Sequence, residues 1–146
     1  MNLDAYSYEL ITRLLWALGM IAAGLFLYRL ANRAILARAR GNRLGLESVR
    51  PGIPVLLYFT TPSCAPCKTI QRPAIQQLKQ QVGEQLQVIE IDASARPEVA
   101  SQWGVLSVPT TFIIDNQGRP RHINHGVATA DKLLKQVHEI YSNTRI

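Results

Sequence analysis

The sequence predicts an α/β fold, a central mixed sheet flanked by helices, preceded by a single N-terminal transmembrane helix. Strand and helix patterns alternate through the C-terminal two thirds of the 146 residues, while the N-terminal third contains an uncharged apolar run. Both cysteines of the chain, Cys64 and Cys67, fall where the first strand pattern gives way to a helix. We expect residues 1–43 to form a membrane anchor with a basic collar, residues 44–51 a linker and residues 52–146 the α/β domain.

Residues 10–30 are predicted to form a helix that crosses a membrane. Counted from Leu10 to Tyr28, a rise of about 1.5 Å per residue gives about 28 Å, close to the hydrocarbon thickness of about 30 Å. The run from Leu14 to Tyr28 carries no charge, and Trp16 and Tyr28 lie near its ends as interfacial aromatics do. The alternatives are a buried core helix, which the apolar residues on every face disfavour, and a cleaved signal peptide. The acidic start and the lack of a small-residue cleavage site disfavour the signal peptide.

The charge around this run predicts its orientation. Only Arg13 precedes the span closely, whereas five arginines follow it: Arg29, Arg33, Arg38, Arg40 and Arg43. Such a basic collar suits anionic headgroups, and an excess of Lys and Arg in a short flank marks the cytoplasmic side. We therefore expect a single-pass membrane protein whose α/β domain lies in the cytoplasm, the outer face being the alternative.

The net charge of +6 does not indicate nucleic-acid binding. Residues 1–50 hold seven arginines and three acids, so most of the excess belongs to the collar. The remainder of the chain is nearly balanced and has no basic stripe with interleaved aromatics. We expect no nucleic-acid partner.

The α/β domain opens with a strand–helix–strand unit. The run "IPVLLYFT" (53–60) is a short apolar stretch bounded by turn residues, typical of a buried strand, and "LQVIEID" (86–92) is the next strand. Between them, residues 65–82 show helical spacing and end at Gly83. The predicted inner face of this helix consists of Ile70, Ile75, Leu78 and Val82. A unit of this kind places the two strands in parallel.

The remaining elements add a helix, a hairpin and a last helix. Pro97 near the start and Gly104 past the end delimit a short helix. Strands at 110–115 and from Pro120, joined by the turn "NQGR", form an antiparallel hairpin. The last helix covers about Thr129 to Tyr141, with an inner side of Leu133, Leu134, Val137 and Ile140.

The position of the two cysteines predicts a redox pair. Cys64 follows the first strand at the start of a helix, where free N–H groups and the helix dipole stabilise a thiolate and lower the thiol pKa. Cys67, one turn inside, can attack a mixed disulfide formed at Cys64. Ala65 and Pro66 keep the loop short, and Lys68 adds a positive charge. We expect Cys64 to be the attacking thiol and Cys67 the resolving one.

Two separate motifs resemble the thioredoxin family. "FTTPSCAPCK" follows a strand, and "SVPTTFIID" follows further along, preceded by "QWG"; a glycine, Gly126, lies ahead of the last helix. The resemblance covers residues 52–143 and implies a thioredoxin-like fold. It also implies a thiol–disulfide oxidoreductase that needs no cofactor. Its partners would be protein disulfide clients and an upstream thiol electron donor.

The resemblance also implies roles for particular residues. The Val108–Pro109 peptide is expected to be cis, and the backbone of Val108 to pair with an extended client segment. The active-site loop around the cysteines would comprise Ser63, Ala65, Pro66 and Lys68. No histidine lies between the cysteines, unlike in strongly oxidising relatives, which favours a reductant.

Three residues depart from the family pattern. Ser63 replaces the tryptophan usual before the first cysteine, and Tyr58 replaces the usual buried acid, to which a proton relay is attributed. Pro73 lies one residue later than the usual helix-kinking proline.

Two other functions remain open from the residues. The chain would be an anchored metal carrier if Cys64 and Cys67 were soft ligands for Cu(I) or Zn(II). Only three histidines are present to complete such a site: His122, His125 and His138. Alternatively, the fold would be a non-catalytic scaffold with incidental cysteines. We expect no metal site.

Overall fold

The computed structural model describes residues 3–43 and 45–143, and it confirms the predicted α/β order. The predictions made above for residues 1, 2, 44 and 144–146 lie outside the described residues. The described helices and strands are α1 (Leu3–Ala39), β1 (Val55–Thr60), α2 (Arg72–Val82), β2 (Gln87–Asp92), α3 (Pro97–Gln102), β3 (Thr110–Ile114), β4 (Pro120–His125) and α4 (Ala130–Asn143). A π-helical turn at Cys67–Gln71 precedes α2, and a 3₁₀ turn at Gly83–Gln85 follows it.

The four strands form one mixed sheet in the order β2-β1-β3-β4. β1 pairs in parallel with β2 and antiparallel with β3, which in turn pairs antiparallel with β4. All six residues of β1 are buried, as its continuous apolar sequence predicts for a central strand covered on both faces. The end of this central strand therefore carries the segment with the two cysteines.

Alternate side chains of β1 contribute to two separate cores. Leu56 and Tyr58 pack with buried residues of α2 and α4 and with both cysteines. Leu57 and Phe59 pack on the other face with α3 and Trp103. The helices thus cover both faces of the sheet, and the redox pair belongs to the α2/α4 side.

The chain divides into two compact units, one ending at Ala34 and the other beginning at Ile35. Within the second unit, Ala39 is buried in the core that contains Trp103. Gly45 is also buried, with φ +83°, and a Cβ there would collide with Ile91. Glycine is required at this point because it accepts positive φ and close approach. The boundaries at 43/44 and 51/52 remain predictions.

The Tyr8–Ala39 stretch of α1 is long and apolar enough to cross a membrane. From Tyr8 to Leu30 its large apolar side chains are exposed, including Trp16 at 76% and Phe26 at 65%. Signal sequences and buried core helices can have the same length and composition.

The inner face predicted for the helix at 65–82 is wrong at one position. Ile70 is 53% exposed, and Gln71, a polar residue, is fully buried in its place. The reason is the π-helical turn, which inserts one extra residue and moves the inward position from Ile70 to Gln71. Ile75 and Leu78 are buried as predicted.

Candidate active site

Cys64 and Cys67 form a disulfide at the carboxyl end of β1, with their Cα atoms 5.3 Å apart. Cys64 retains 9% exposure, whereas Cys67, the first residue of the π-helical turn, is fully buried. The backbone N–H of Cys67 donates to Sγ of Cys64 at 3.3 Å. Cys64 is therefore the more exposed cysteine of the pair, and its sulfur has a hydrogen-bond donor that would stabilise a thiolate.

Tyr58 lies on β1 beneath the disulfide, where the family pattern has an acid. Its side chain is 1% exposed, and its hydroxyl donates to the carbonyl oxygen of Cys67 at 3.3 Å. Burial raises the pKa of Tyr58 above its usual value of 10.0. The phenol is therefore neutral at physiological pH, so it acts as a hydrogen-bond donor and not as a base. The same carbonyl also accepts the N–H of Arg72, which closes the π-helical turn.

The peptide between Val108 and Pro109 is cis, as the resemblance implies. Val108 packs against the core that contains both cysteines. The carbonyl oxygen of Pro109 accepts the N–H of Gly126 at 2.8 Å, which joins this loop to the connection between β4 and α4. The structure thus packs Val108, one of the residues proposed for client binding, against the core cluster to which both cysteines belong.

The other residues of the predicted active-site loop lie at the surface around Cys64. Ser63 occupies a turn after β1, and Ala65, Pro66 and Lys68 are exposed. The backbone N–H of Lys68 donates to the carbonyl oxygen of Cys64 at 3.4 Å. The disulfide is therefore bordered by exposed side chains, most of them small, that leave Cys64 open to a partner.

Sequence reasoning missed three exposed apolar side chains that lie close in the chain to the predicted site residues. In the described residues from 35 onwards, the large apolar side chains that are exposed are Ile70 (53%), Leu106 (89%) and Val127 (39%). Ile70 belongs to the π-helical turn, Leu106 precedes Val108, and Val127 follows Gly126, so each is on a segment next to the site. We call these three side chains the apolar rim. Single exposed apolar residues are common on protein surfaces. The sequence does not show which apolar residues are exposed, so these three could not be singled out from it.

Of the histidines considered for a metal site, His122 and His125 lie on β4 and His138 lies on α4. His122 on β4 pairs with Glu139 on α4, Nε2 to Oε2 at 3.3 Å, and His138 is exposed on α4. Among residues 3–43 and 45–143, no three His, Cys, Asp or Glu side chains are grouped so as to hold a metal ion.

The thioredoxin family model matches residues 47–139, which is well over half of the chain. Thioredoxin 1 of Synechococcus elongatus is 36% identical over 73 residues, covering 50% of this chain and 67% of that protein. A thioredoxin-like protein of Synechocystis sp. is 34% identical over 84 residues, covering 58% of this chain and 78% of its own length.

Solved structures agree on the fold. Chloroplastic thioredoxin z superposes with a TM-score of 0.60 at 20% identity, over 70% of this chain and 90% of that one. A mutant thioredoxin from Halobacterium salinarum gives a TM-score of 0.57 at 25% identity, over 66% of this chain and 81% of that one. With a matching sequence model, a matching fold and a Cys64–Cys67 disulfide at the end of the central strand, this chain belongs to the thioredoxin family.

Proposed function

We propose that this thioredoxin-family oxidoreductase is a membrane-anchored reductase of protein disulfides. Family membership and the Cys64–Cys67 disulfide support dithiol–disulfide exchange as its chemistry. The difference between the two sulfurs is the observation that supports a defined order of attack. Cys64 is accessible and accepts the N–H of Cys67, while Cys67 is fully buried behind it.

The reaction begins with the dithiol form. The Cys64 thiolate attacks one sulfur of a client disulfide, forming a mixed disulfide and releasing the other client sulfur as a thiolate, which takes a proton. The Cys67 thiol then loses its proton, and its thiolate attacks Sγ of Cys64; this closes the Cys64–Cys67 disulfide and releases the second client sulfur as a thiolate, which takes up a proton. Two electrons pass to the client, and an upstream dithiol donor returns two electrons to the chain.

The surroundings of the disulfide support a protein client. The apolar rim offers contact area to a partner surface, and the loop ending at Val108 and Pro109 lies against the same core as the cysteines. We propose that the Val108 backbone pairs with an extended client segment, so that main-chain hydrogen bonds hold the client disulfide in front of Cys64. Ser63, Ala65, Pro66 and Lys68 border the approach to Cys64.

Catalytic turnover tests the proposal. The full chain, purified in detergent, should accelerate reduction of insulin disulfides by excess dithiothreitol well beyond the rate with dithiothreitol alone. A chain in which both Cys64 and Cys67 are replaced by serine should give only the background rate. Background rates from the parent chain would contradict the reductase and favour the scaffold, and stoichiometric Cu(I) binding without turnover would favour the carrier.

We further propose that the apolar stretch of α1 anchors the chain and that the redox domain lies in the cytoplasm. The side chains from Trp16 to Leu27 that would meet lipid are exposed, and the arginine excess follows the span. The charge rule supports this orientation more than the outer face.

Labelling of intact cells should place the domain. After mild reduction with a permeant thiol, a membrane-impermeant maleimide should leave Cys64 unmodified until the cells are lysed. The double serine variant at 64 and 67 supplies the blank, and the lysed sample shows that Cys64 reacts once reached. Modification before lysis would place the domain on the outer face.

A further inference from the structure

Gln71 is fully buried, yet both ends of its side-chain amide are hydrogen-bonded to one residue. Its Nε2 donates to the carbonyl oxygen of Ala128 at 3.2 Å, and its Oε1 accepts the N–H of Ala128 at 2.8 Å. The two residues are 57 positions apart in the chain. When both the N–H and the carbonyl oxygen of a buried amide are hydrogen-bonded to one residue, the distance and the orientation of that residue are fixed.

Ala128 lies in the connection between β4, which ends at His125, and α4, which begins at Ala130. Its backbone groups therefore fall outside the sheet and the helix, and the side chain of Gln71 supplies their partners. The same connection contains Gly126, whose N–H donates to Pro109. A chain of hydrogen bonds thus leads from the helix behind Cys67 to the loop proposed to bind the client.

The π-helical turn is what turns Gln71 inward. The turn begins at Cys67 and ends at Gln71, and its extra residue leaves Ile70 exposed on the apolar rim. Turns of this type occur frequently at functional sites. Here one local feature determines the direction of two side chains, one facing the client and one facing the core.

We propose that Gln71 is a positioning residue that sets the spacing between the disulfide and the client-binding groove formed by Val108, Pro109 and the Gly126–Val127 connection. The inference rests on the proposed function, because it concerns how a protein client is held. Both hydrogen bonds of the Gln71 amide go to Ala128, so Gln71 acts on the groove through Ala128. Its loss should impair binding of an extended client while sparing the sulfur chemistry at Cys64.

The test compares a protein disulfide with a small one in the full chain in detergent. Gln71→Met keeps the size of the side chain but leaves the N–H and carbonyl of Ala128 without partners. We expect kcat/KM for insulin to fall on the order of tenfold, mostly through a higher KM, because the groove is misplaced. Exchange with a small aromatic disulfide should stay within about twofold, because it needs only an accessible Cys64 thiolate.

Gln136→Met is the matched control. Gln136 also makes two amide hydrogen bonds, both to Asn124 on β4, at 2.9 and 3.0 Å, and neither partner belongs to the Gly126–Ala128 connection. Gln136→Met should reduce the stability of the fold without changing the ratio of insulin activity to small-disulfide activity. If Gln71→Met lowers both activities equally, or neither, the positioning role is wrong. The proposed function itself would fail if the parent chain exchanged with the small disulfide but not with insulin. That result concerns the parent chain, so it is distinguishable from a failure of the positioning role, which is seen in the variant.

Gln71→Glu provides a second readout that remains if the methionine variant does not fold. A protonated carboxyl can donate to one group of Ala128 and accept from the other, as the amide does, whereas a carboxylate cannot donate. Burial favours the protonated form, so the ratio of insulin to small-disulfide activity should recover towards that of the parent as pH falls. A ratio that stays low and independent of pH would overturn the inference.

Discussion

Replacing Cys64 with serine is expected to abolish protein-disulfide reduction, whereas Cys67→Ser should accumulate mixed disulfides with client proteins. Cys64 is the more exposed cysteine and its sulfur accepts the N–H of Cys67, so we expect it to make the first attack. Without Cys67 the second attack cannot occur, and the client stays bound to Cys64. Non-reducing electrophoresis of each variant after incubation with an oxidised client, followed by mass spectrometry, measures the adducts.

The reciprocal variant is the control for this trapping. Cys64→Ser leaves only the fully buried Cys67, so it should form no adduct above background. Alkylation of the reduced parent chain should likewise be faster at Cys64 than at Cys67 near neutral pH. Adducts at Cys67, or faster alkylation there, would reverse the assigned order of attack.

Trp103→Ala is expected to cause the largest loss of stability among single core substitutions, about 3–5 kcal/mol in the free energy of unfolding. Trp103 is 1% exposed, and its ring meets Phe112 edge to face with centroids 5.0 Å apart. Phe112 in turn meets Phe59 at 6.0 Å, so the cavity would open beside the two central strands. Urea unfolding of the full chain in detergent, followed by near-ultraviolet circular dichroism, measures the change.

Trp103→Phe tests whether this loss comes from volume. The smaller aromatic ring keeps part of the packing and should cost less than alanine does. Equal losses for phenylalanine and alanine, or a loss below about 1 kcal/mol for alanine, would contradict a packing role for Trp103 at this site.

Features set by local pattern were predictable from the sequence. The uninterrupted apolar stretch of β1 indicated a strand covered on both faces, and its burial confirms this. The cis peptide before Pro109 followed from the family resemblance and not from the residues alone. The disulfide between Cys64 and Cys67 agrees with the predicted redox pair.

Features set by distant partners were not predictable. Ile70 fits an inner helical face by spacing and hydrophobicity, and nothing near Gln71 in sequence announces that its amide is satisfied by Ala128. The sequence shows that Tyr58 replaces the buried acid of the family pattern. It does not show that the Tyr58 hydroxyl donates a hydrogen bond to the carbonyl oxygen of Cys67. The π-helical turn and the hydrogen bonds to Ala128 and Cys67 exist only in the folded structure, so apolar spacing in the sequence does not reveal them.

Dithiol–disulfide exchange at Cys64 and Cys67 is tested most directly by a single-turnover reaction. The fully reduced chain, freed of small thiols, is mixed with an excess of a protein that has one accessible disulfide, and the thiols of both are counted by alkylation and mass spectrometry. We predict that each chain loses both thiols, forms the Cys64–Cys67 disulfide and leaves one client disulfide reduced. Client reduction without oxidation of this pair, or a reduced chain that leaves the client disulfide intact, would contradict the assignment.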